Sequence, residues 1–476
     1  MTKVTYRQFG AVGDGKTDDM SAIVAAHAYA NEHGLPVSAT AGDTYYIGGK
    51  NQTAIITTNT DWTGARFILD DLELENINQS IFLVPQEYEA EELSLSKLAH
   101  GQKHIDMTFP STVMISVKDD TRRNYIRMGV NASNGVPVSD TFLCNADGEV
   151  LNDIMWEFPQ ITSASVRRIE ETPLVIEGGH FTTIANQMPS KYTYHARNIV
   201  VKRSHTTVRG ITHRVEGEGE HGAPYGGFLS ANGCAYVTFE NCSLSGHKIY
   251  YTPGNGGMSP MGTYDVGLHA CAFVTLRGIT QVPDIMDSTR WGLMGSNYCK
   301  NITLENCEMS RFDAHMGVTH AIVRGCKLGW QCVHAIGEGD FLVADSERCG
   351  RSLLSLRYDY GGHWDGTLTL RNVTWYPKSE HPSVISGANP GTHDFGYPCK
   401  MPTFIKIEGL RIVDTDPRIQ DIALLSQYAD EPTFDKPYPY QVPEEVVYSD
   451  VRCDSGRDVL PYRDKAFYPQ TKITEA

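Results

Sequence analysis

Residues 234–242 read Cys-Ala-Tyr-Val-Thr-Phe-Glu-Asn-Cys, and this pattern returns several times along the chain. Residues 271–279 read Cys-Ala-Phe-Val-Thr-Leu-Arg-Gly-Ile, and residues 299–307 read Cys-Lys-Asn-Ile-Thr-Leu-Glu-Asn-Cys. Further copies lie at 319–326, 341–346, 368–373 and 198–204. Alternating apolar and polar residues predict a short strand in each copy, and the Asn or Gly that follows tolerates a left-handed turn.

The spacing of the copies indicates how these strands assemble. The closing positions Cys242, Ile279, Cys307 and Cys326 are 37, 28 and 19 residues apart. One strand per repeat of about 20 residues, with insertions of variable length, is typical of a solenoid of parallel strands. The repeats therefore predict a β-helix, in which cysteines that share a register stack inside the coil as small apolar groups.

The beginning of the chain carries a second signal. Residues 9–19 read Phe-Gly-Ala-Val-Gly-Asp-Gly-Lys-Thr-Asp-Asp, and Ser-Ala-Ile follows at 21–23. This opening resembles that of the pectate-lyase-like right-handed β-helix superfamily, which includes polygalacturonases, pectate-lyase-3-type proteins, inulin fructotransferases and phage tailspikes. Thr17 or Asp18 is placed to cap a helix that runs to about Asn31 and closes the open end of the coil. We expect an all-β protein, a right-handed parallel β-helix (solenoid) with an N-terminal capping helix and a β-rich insertion.

Changes in pattern divide the chain into four parts. Residues 1–85 are predicted to form the N-terminal cap and the first coils. The repeat lapses in 86–170, which we expect to be an inserted β-rich subdomain or a loop excursion. Residues 171–410 are predicted to form the main β-helix and to carry the active-site face. Residues 411–476 are rich in Pro and Tyr, and we expect an extended C-terminal tail that packs along the coil or against a neighbouring subunit.

The composition of the chain argues against some classes of binding partner. Lys and Arg number 41 against 57 Asp and Glu, so the formal net charge is −16. An acidic chain disfavours nucleic acid and anionic membrane surfaces, and no apolar run is long enough to span a bilayer. The N-terminus shows no secretory signal, which predicts a cytoplasmic protein, or a secreted one if a signal has been trimmed. A homo-oligomer remains possible.

The eleven cysteines predict reduced, buried thiols. Their number is odd and no Cys-x-x-Cys pair occurs, so neither a disulfide framework nor a zinc site is indicated. We expect no metal site and no cofactor.

Residues at a fixed distance after the closing positions of the repeats form a candidate site. Eight positions further on lie Tyr250, Asp287, His315 and His334, and six positions on lie Lys248 and Asp313. If the turns keep equal lengths, the first four form a ladder on one face, with the other two beside it.

The residue types around this ladder suit carbohydrate chemistry. Asp287 and Asp313 are the first acid–base pair, with Glu338 or Asp340 as the substitute, and His315 or His334 would tune or relay protons. The predicted substrate-binding residues are Lys248, Tyr250, Asp265, His269, Arg290, Trp291, Asp340, Arg357, Asp359 and His363.

We therefore expect a glycoside hydrolase that acts on an oligosaccharide. Polygalacturonase-like enzymes use Asp residues on this face, but this chain departs from their pattern. Its only Asn-Thr-Asp lies at 59–61, and it has no Asp-Asp pair followed by Gly-His-Gly and no Arg-Ile-Lys.

Three alternatives stay open. A β-elimination lyase needs a base and a group that neutralises a uronate, roles that Lys248, Arg290, His315 and Arg357 match. Fructosyl transfer of the inulin-fructotransferase kind is a third chemistry. A phage tailspike-like or adhesive glycan-binding protein is the non-enzymatic alternative.

Overall fold

The computed structural model describes residues 2–129, 131–190, 193–254, 257–387, 393–426, 438 and 440–476. The chain divides into two compact units. The first comprises Met1–Glu89 and Arg168–Met294, and the second comprises Ala90–Arg167 and Gly295–Ala476.

The first unit is built from three parallel ladders of short strands. The first ladder contains Val4–Thr5, Val37–Ser38, Thr60–Asp61, Leu174–Glu177, Thr206–Arg209, Thr238–Glu240 and Ala272–Arg277. The second ladder contains Asp14–Asp18, Thr44–Ile47, Arg66–Asp70, His180–Ile184, Thr212–Glu216, Ser243–Ser245 and Thr280–Val282. The third ladder contains Ala54–Ile55, Phe82–Val84, Ile199–Val201, Leu229–Asn232 and Val266–His269. Most coils thus contribute one strand to each ladder, which is the arrangement of a parallel β-helix.

The turn between the first and second ladders explains the repeat. Thr238–Glu240 pairs with residues 275–277, in the register that the repeated sequence predicts. Asn241 and Gly278 follow with φ angles of 51° and 60°. Only residues that tolerate the left-handed region turn the chain there without strain, which is why the copies end in Asn or Gly. The copy at 198–204 proved different, because its strand Ile199–Val201 lies in the third ladder.

Aromatic rings fill the interior of the first coils. Phe67 and Phe181, on neighbouring coils, stack with their centroids 4.5 Å apart, and Trp62 and Phe82 pack against them. All four side chains are buried. Burial of aromatic side chains is the main stabilising contribution to such a core.

The helix Met20–His33 lies near the N-terminus and is preceded by the 3₁₀ turn Tyr6–Phe9. Its N-cap is Asp19 rather than Thr17 or Asp18, although the Asp18 carboxylate accepts a hydrogen bond from the Met20 amide at 3.0 Å. The buried side of the helix includes Met20, Ile23, Ala26, His27 and Ala30.

In the second unit, longer strands bend around the corners of the coil. The parallel strands are Lys300–Glu305, Glu308–Arg324, Lys327–Ala344, Glu347–Gly350, Ser352–Leu356, Trp364–Asp365, Thr367–Pro377, Ser383–Ser386, Phe404–Ile412, Ala423–Leu425, Glu445–Cys453, Leu460–Tyr462 and Lys472–Glu475. Cys399–Lys400 and Tyr440–Gln441 form a separate parallel pair, and Lys465–Phe467 is a 3₁₀ turn. The chain passes from the first unit to the second within the strand Met294–Asn297.

The predicted β-rich insertion is a four-stranded sheet with an antiparallel pair of strands at each edge. In spatial order its strands are Val136–Cys144, Val113–Asn124, Ser163–Arg168 and Glu91–Glu92. Its apolar core includes Ile115, Phe142 and Phe158, which are fully buried. The insertion therefore has its own hydrophobic core. A second excursion, the antiparallel hairpin of Tyr250–Gly254 and Gly257–Met261, belongs to the first unit.

The C-terminal segment differs from the extended tail that its Pro and Tyr content suggested. Glu445–Cys453 pairs in parallel with Phe404–Ile412, and Lys472–Glu475 pairs with Glu445–Cys453. Val446 is fully buried, so apolar residues on these strands continue the core of the coil. Residues 427–437 and 439 lie outside the described residues.

All eleven cysteines lie in the described part of the chain and carry reduced thiols, ten of them buried. The Sγ atoms of Cys234 and Cys271 are 3.8 Å apart on successive coils, as expected for stacked interior side chains. In the described ranges, no helix has the length and apolar character needed to cross a membrane.

Candidate active site

Two acidic residues are paired on adjacent strands of the second unit. Glu338, on Lys327–Ala344, is the direct partner of Asp365, on Trp364–Asp365. Trp364 is fully buried in the coil, so the next residue, Asp365, points outward. Partners in a parallel ladder project from the same face with their Cα atoms about 4.8 Å apart, so the two side chains leave the coil side by side.

The environments of these two carboxyl groups differ. The Glu338 side chain is 10% exposed, and burial raises its pKa above the ordinary value, an effect that His100 only partly offsets. The Asp365 side chain is 41% exposed and lies 2.6 Å from the Lys400 ammonium. Burial opposes ionisation of Asp365, but Lys400 outweighs it and lowers the pKa. One carboxyl group is thus biased toward the acid and its neighbour toward the carboxylate.

The insertion contributes a histidine to this centre. His100 Nε2 lies 3.1 Å from Glu338 Oε2, and this hydrogen bond raises the pKa of His100. The charges of Asp365 and Asp153 act on His100 in the same direction. His100 therefore connects the carboxyl groups of the coil with those of the insertion.

A second pair of carboxylates lies beside Glu338. His320 Nε2 is 2.7 Å from an oxygen of Asp153, and Asp153 also forms an ion pair with Lys103. The Asp340 side chain is 80% exposed, and its amide donates to His320 Nδ1. Asp340 is therefore placed to meet a ligand in solvent rather than to act as a buried acid.

Asp313 lies in a different cluster, composed of paired charges. It is fully buried and accepts two hydrogen bonds from Arg357 Nη1, at 3.0 and 2.9 Å, while Arg311 Nη2 lies 2.8 Å away. Arg357 also donates to Asp359, which forms an ion pair with Arg127 at 2.5 Å. Burial opposes ionisation, but Arg311 and Arg357 hold the pKa of Asp313 far below its ordinary value. A carboxylate so held does not donate a proton to a substrate, so the geometry argues against Asp313 as the general acid.

His315 and His334 flank this cluster as neutral rings. Burial lowers the pKa of each to about 3, and the nearby arginines add to the effect. His315 Nδ1 bonds to the Asn297 amide oxygen at 2.8 Å.

The register prediction that put the two histidines side by side was wrong, since His334 pairs with Asp313. Arg311 pairs with Cys332 whereas Met309 pairs with Leu328, so two extra residues enter the later strand between these points.

In the first unit, a buried chain of hydrogen bonds joins two carboxylates and two histidines. Asp265 lies 2.7 Å from His213 Nδ1 and 3.0 Å from His247 Nε2. His247 Nδ1 lies 3.0 Å from Glu218, and Glu218 accepts a hydrogen bond from the Tyr250 hydroxyl at 2.8 Å. Burial opposes protonation of His247, but Asp265 and Glu218 outweigh it and raise the pKa to about 9.

The other predicted residues of this unit surround the Glu218 carboxylate or lie on loops. Arg290 Nη1 is 3.2 Å from Glu218, and the Lys248 ammonium lies over the Tyr250 ring at 4.6 Å. Asp287 accepts hydrogen bonds from the amide and hydroxyl of Thr289, so its carboxylate holds a turn. Tyr250 pairs with Met261 in the hairpin, which removes it from the predicted ladder with Asp287, because the loops are unequal.

Three further predicted binding residues have different surroundings. Trp291 donates its amide to the His247 carbonyl, and its ring lies edge-on to Tyr264. His269 ends the strand Val266–His269 and is exposed. His363 is buried in the second unit, where Nδ1 bonds to the Pro398 carbonyl at 2.8 Å.

Sequence reasoning missed Asp365, His100 and Glu218. A signal for Asp365 existed, since the copies at 341–346 and 368–373 are 27 residues apart, and that offset carries Glu338 onto Asp365. Glu218 stands in an acidic, glycine-rich stretch of the kind that usually forms a solvated loop, but its side chain is 8% exposed. No pattern pointed to His100, which comes from the insertion.

Within the described residues, no group of three or more His, Cys, Asp or Glu side chains is arranged to hold a metal ion.

Several solved structures are similar to this chain in fold. A tailspike of Pseudomonas phage phi297 matches with a TM-score of 0.57 and 12% identity, over 99% of this chain and 84% of its own. A tailspike of Pseudomonas phage LKA1 matches with a TM-score of 0.55 and 15% identity, over 100% and 78%. A tailspike of Acinetobacter baumannii bacteriophage AP22, solved in complex with a capsular saccharide, matches with a TM-score of 0.52 and 10% identity, over 99% and 79%.

These likenesses and the ladders identify the chain as a parallel β-helix protein. No family model matches the sequence. No curated protein matches it either.

Proposed function

We propose that the protein is a carbohydrate-active enzyme, a glycoside hydrolase whose acid–base pair is Glu338 and Asp365. The observation that carries this proposal is the pairing of the two residues on adjacent parallel strands with pKa values displaced in opposite directions. Glycoside hydrolysis needs one protonated carboxyl group and one carboxylate beside the scissile bond.

The reaction follows from these two states. Glu338 gives its proton to the glycosidic oxygen as the bond from that oxygen to the anomeric carbon breaks. We assign the retaining course, in which the ionised carboxylate is the nucleophile, because the two residues leave neighbouring strands of one ladder. On that course Asp365 attacks the anomeric carbon and forms a glycosyl ester. Water then attacks this ester, and Glu338 takes up the proton of the water.

Other residues of the second unit have supporting roles in this proposal. His100 holds Glu338 in place, and Lys400 keeps Asp365 ionised. Asp340 is exposed beside the centre and is a candidate to bind sugar hydroxyls. Arg357, Asp359 and Asp313 form a rigid charged support under the histidines.

The relatives in structure support a carbohydrate ligand. One of the tailspikes was solved with a capsular saccharide bound. A tailspike-like glycan-binding protein without turnover is therefore the second candidate, and only an activity measurement separates the two.

The test measures the products of hydrolysis and of β-elimination in the same assay. Purified protein would be incubated with bacterial capsular and plant oligosaccharides, with new reducing ends and unsaturated uronate products recorded together. We expect reducing ends without unsaturation, and losses on the order of 10²–10⁴-fold in kcat for Glu338→Gln and Asp365→Asn. Glu347→Gln is the matched control, because Glu347 is exposed on a neighbouring strand. Unsaturated products would show a lyase, and full activity in Glu338→Gln would refute the assignment of the acid.

A further inference from the structure

The first unit carries an open cleft on the outward face of its second ladder. The cleft has a volume of about 480 Å³. Its outward-facing lining residues come from four neighbouring strands and are Thr44, Arg66, Ile68, His180, Thr182, Ile184, Thr212, Arg214 and Glu216. Neither the repeats nor the proposed acid–base chemistry accounts for this surface.

The register of the ladder arranges these side chains in rows. His180 pairs with Arg66 on one side and Thr212 on the other. One row further along, Thr182 lies between Ile68 and Arg214. Two strand spacings of about 4.8 Å and two residues of about 3.3 Å separate the backbones of Arg66 and Arg214 by roughly 12 Å. The two cations thus lie diagonally across the first two rows, with His180 beside Arg66 and Glu216 in the third row.

Neither arginine is neutralised by the protein. Arg214 donates to the carbonyls of His213 and Ser243, at 2.7 and 2.9 Å, and to the Ser243 hydroxyl at 3.0 Å. These contacts fix the guanidinium but carry no charge. Across the described part of this unit, no carboxylate lies within 4.0 Å of Arg66 or Arg214.

The arginines of the neighbouring ladder behave differently. Arg209 forms an ion pair with Glu177 at 2.7 Å, and Arg277 lies 3.4 Å from Glu240. In a chain with a net charge of −16, two cations without carboxylate partners on one cleft form a local field that attracts anions.

We propose that this cleft binds an oligosaccharide that carries carboxylate groups. A guanidinium matches a carboxylate in charge and in bidentate geometry. The three threonine hydroxyls of the cleft can exchange hydrogen bonds with sugar hydroxyls, and Ile68 and Ile184 offer apolar surface to the C–H faces of the rings. Glu216, at the far end, repels a further carboxylate and so limits the ligand to the arginine end.

This inference rests on the proposed function only in taking the ligand to be a carbohydrate. It adds the chemical class of the sugar and a binding site in the first unit, and it does not depend on Glu338 or Asp365 being catalytic.

The test measures binding rather than turnover. Calorimetry would compare oligogalacturonate and oligomannuronate with the same oligosaccharides after carboxyl reduction, and with a sulfated heparin fragment. We expect Arg66→Gln/Arg214→Gln to weaken uronate binding by about 10-fold or more. Arg209→Gln/Arg277→Gln removes the same charge from arginines that already have carboxylate partners, and it should bind like the wild type.

The outcomes separate the two proposals. Equal affinity in the wild type and Arg66→Gln/Arg214→Gln would overturn the inference, as would the lack of uronate binding to the wild type. Preference for the sulfated fragment over both uronates would overturn the assignment to carboxylates. Binding that depends on the two arginines, in a protein that hydrolyses no sugar, would support the inference while refuting the hydrolase.

Discussion

Glu338 and Asp365 are direct partners across two parallel strands, and their surroundings displace their pKa values in opposite directions. Burial raises the pKa of Glu338 above that of an ordinary glutamate, whereas Lys400 holds the pKa of Asp365 below that of an ordinary aspartate. In the proposed function, this divergence gives the acid role to Glu338 and the nucleophile role to Asp365.

The pH dependence of the proposed activity follows from this pair. The acid must be protonated, so activity should fall as pH rises through the raised pKa of Glu338. The nucleophile must be ionised, so activity should fall as pH drops through the lowered pKa of Asp365. We expect a bell-shaped profile of kcat/KM whose alkaline limb lies above the pKa of an ordinary glutamate.

Replacing His100 should shift the alkaline limb of the pH profile. Its hydrogen bond and charge lower the pKa of Glu338, so His100→Ala should shift the alkaline limb to higher pH and leave the acidic limb nearly unchanged. His104→Ala is the control, because His104 is an exposed residue of the same insertion. An alkaline limb that moves to lower pH in His100→Ala would contradict the assignment.

Asp313 should matter for stability. Replacing Asp313 by Asn removes the buried negative charge that Arg311 and Arg357 share, and leaves Asp359 to balance Arg357. Breaking such a buried pair costs about 3–5 kcal/mol. Denaturant unfolding of Asp313→Asn should show this loss.

Asp345→Asn is the matched control for that measurement, since Asp345 is exposed and occupies a left-handed turn position that Asn also tolerates. A stable Asp313→Asn protein with strongly reduced turnover would instead restore Asp313 as a catalytic residue.

Cysteine accessibility should follow burial. Ten thiols are buried, and Cys349 is half-buried. Mass spectrometry of the alkylated native protein should therefore find Cys349 modified first, with the interior thiols reacting only after unfolding. Cys349→Ser should abolish the early modification. Rapid alkylation of Cys234 or Cys271 would show that the stacked interior thiols are accessible.

Local sequence pattern predicted the coil well and the site only partly. The pairing of Thr238 with Thr275 and the left-handed residue at Asn241 follow from alternation and turn chemistry, which are local properties. The ladder of candidate residues required a constant number of residues between strands. Two extra residues before Cys332 and the hairpin after Tyr250 break that assumption.

His100 shows a different limit of sequence reasoning. It meets Glu338 across 238 positions of sequence, through the packing of an insertion that carries no repeat. Glu218 shows a third limit. Acidic, glycine-rich stretches of this kind are usually exposed to solvent. The Glu218 carboxylate instead accepts hydrogen bonds from four donors: His247, Tyr250, Arg290 and the Lys248 amide.

His247 makes the stability of the first unit depend on pH. Its pKa is raised from 6.5 to about 9 in the folded protein, because it lies between the carboxylates of Asp265 and Glu218. A group whose folded pKa exceeds its unfolded pKa stabilises the fold fully below the unfolded value, and this contribution is lost as pH rises through the folded value. Thermal unfolding should therefore shift to lower temperature by several degrees between about pH 6.5 and 9. His247→Gln should be less stable at pH 6.5 and should show a flatter profile over that range. His221→Gln, which alters an exposed histidine of the same unit, should retain the wild-type slope. An unchanged slope in His247→Gln would mean that the charged form of His247 does not stabilise the buried chain.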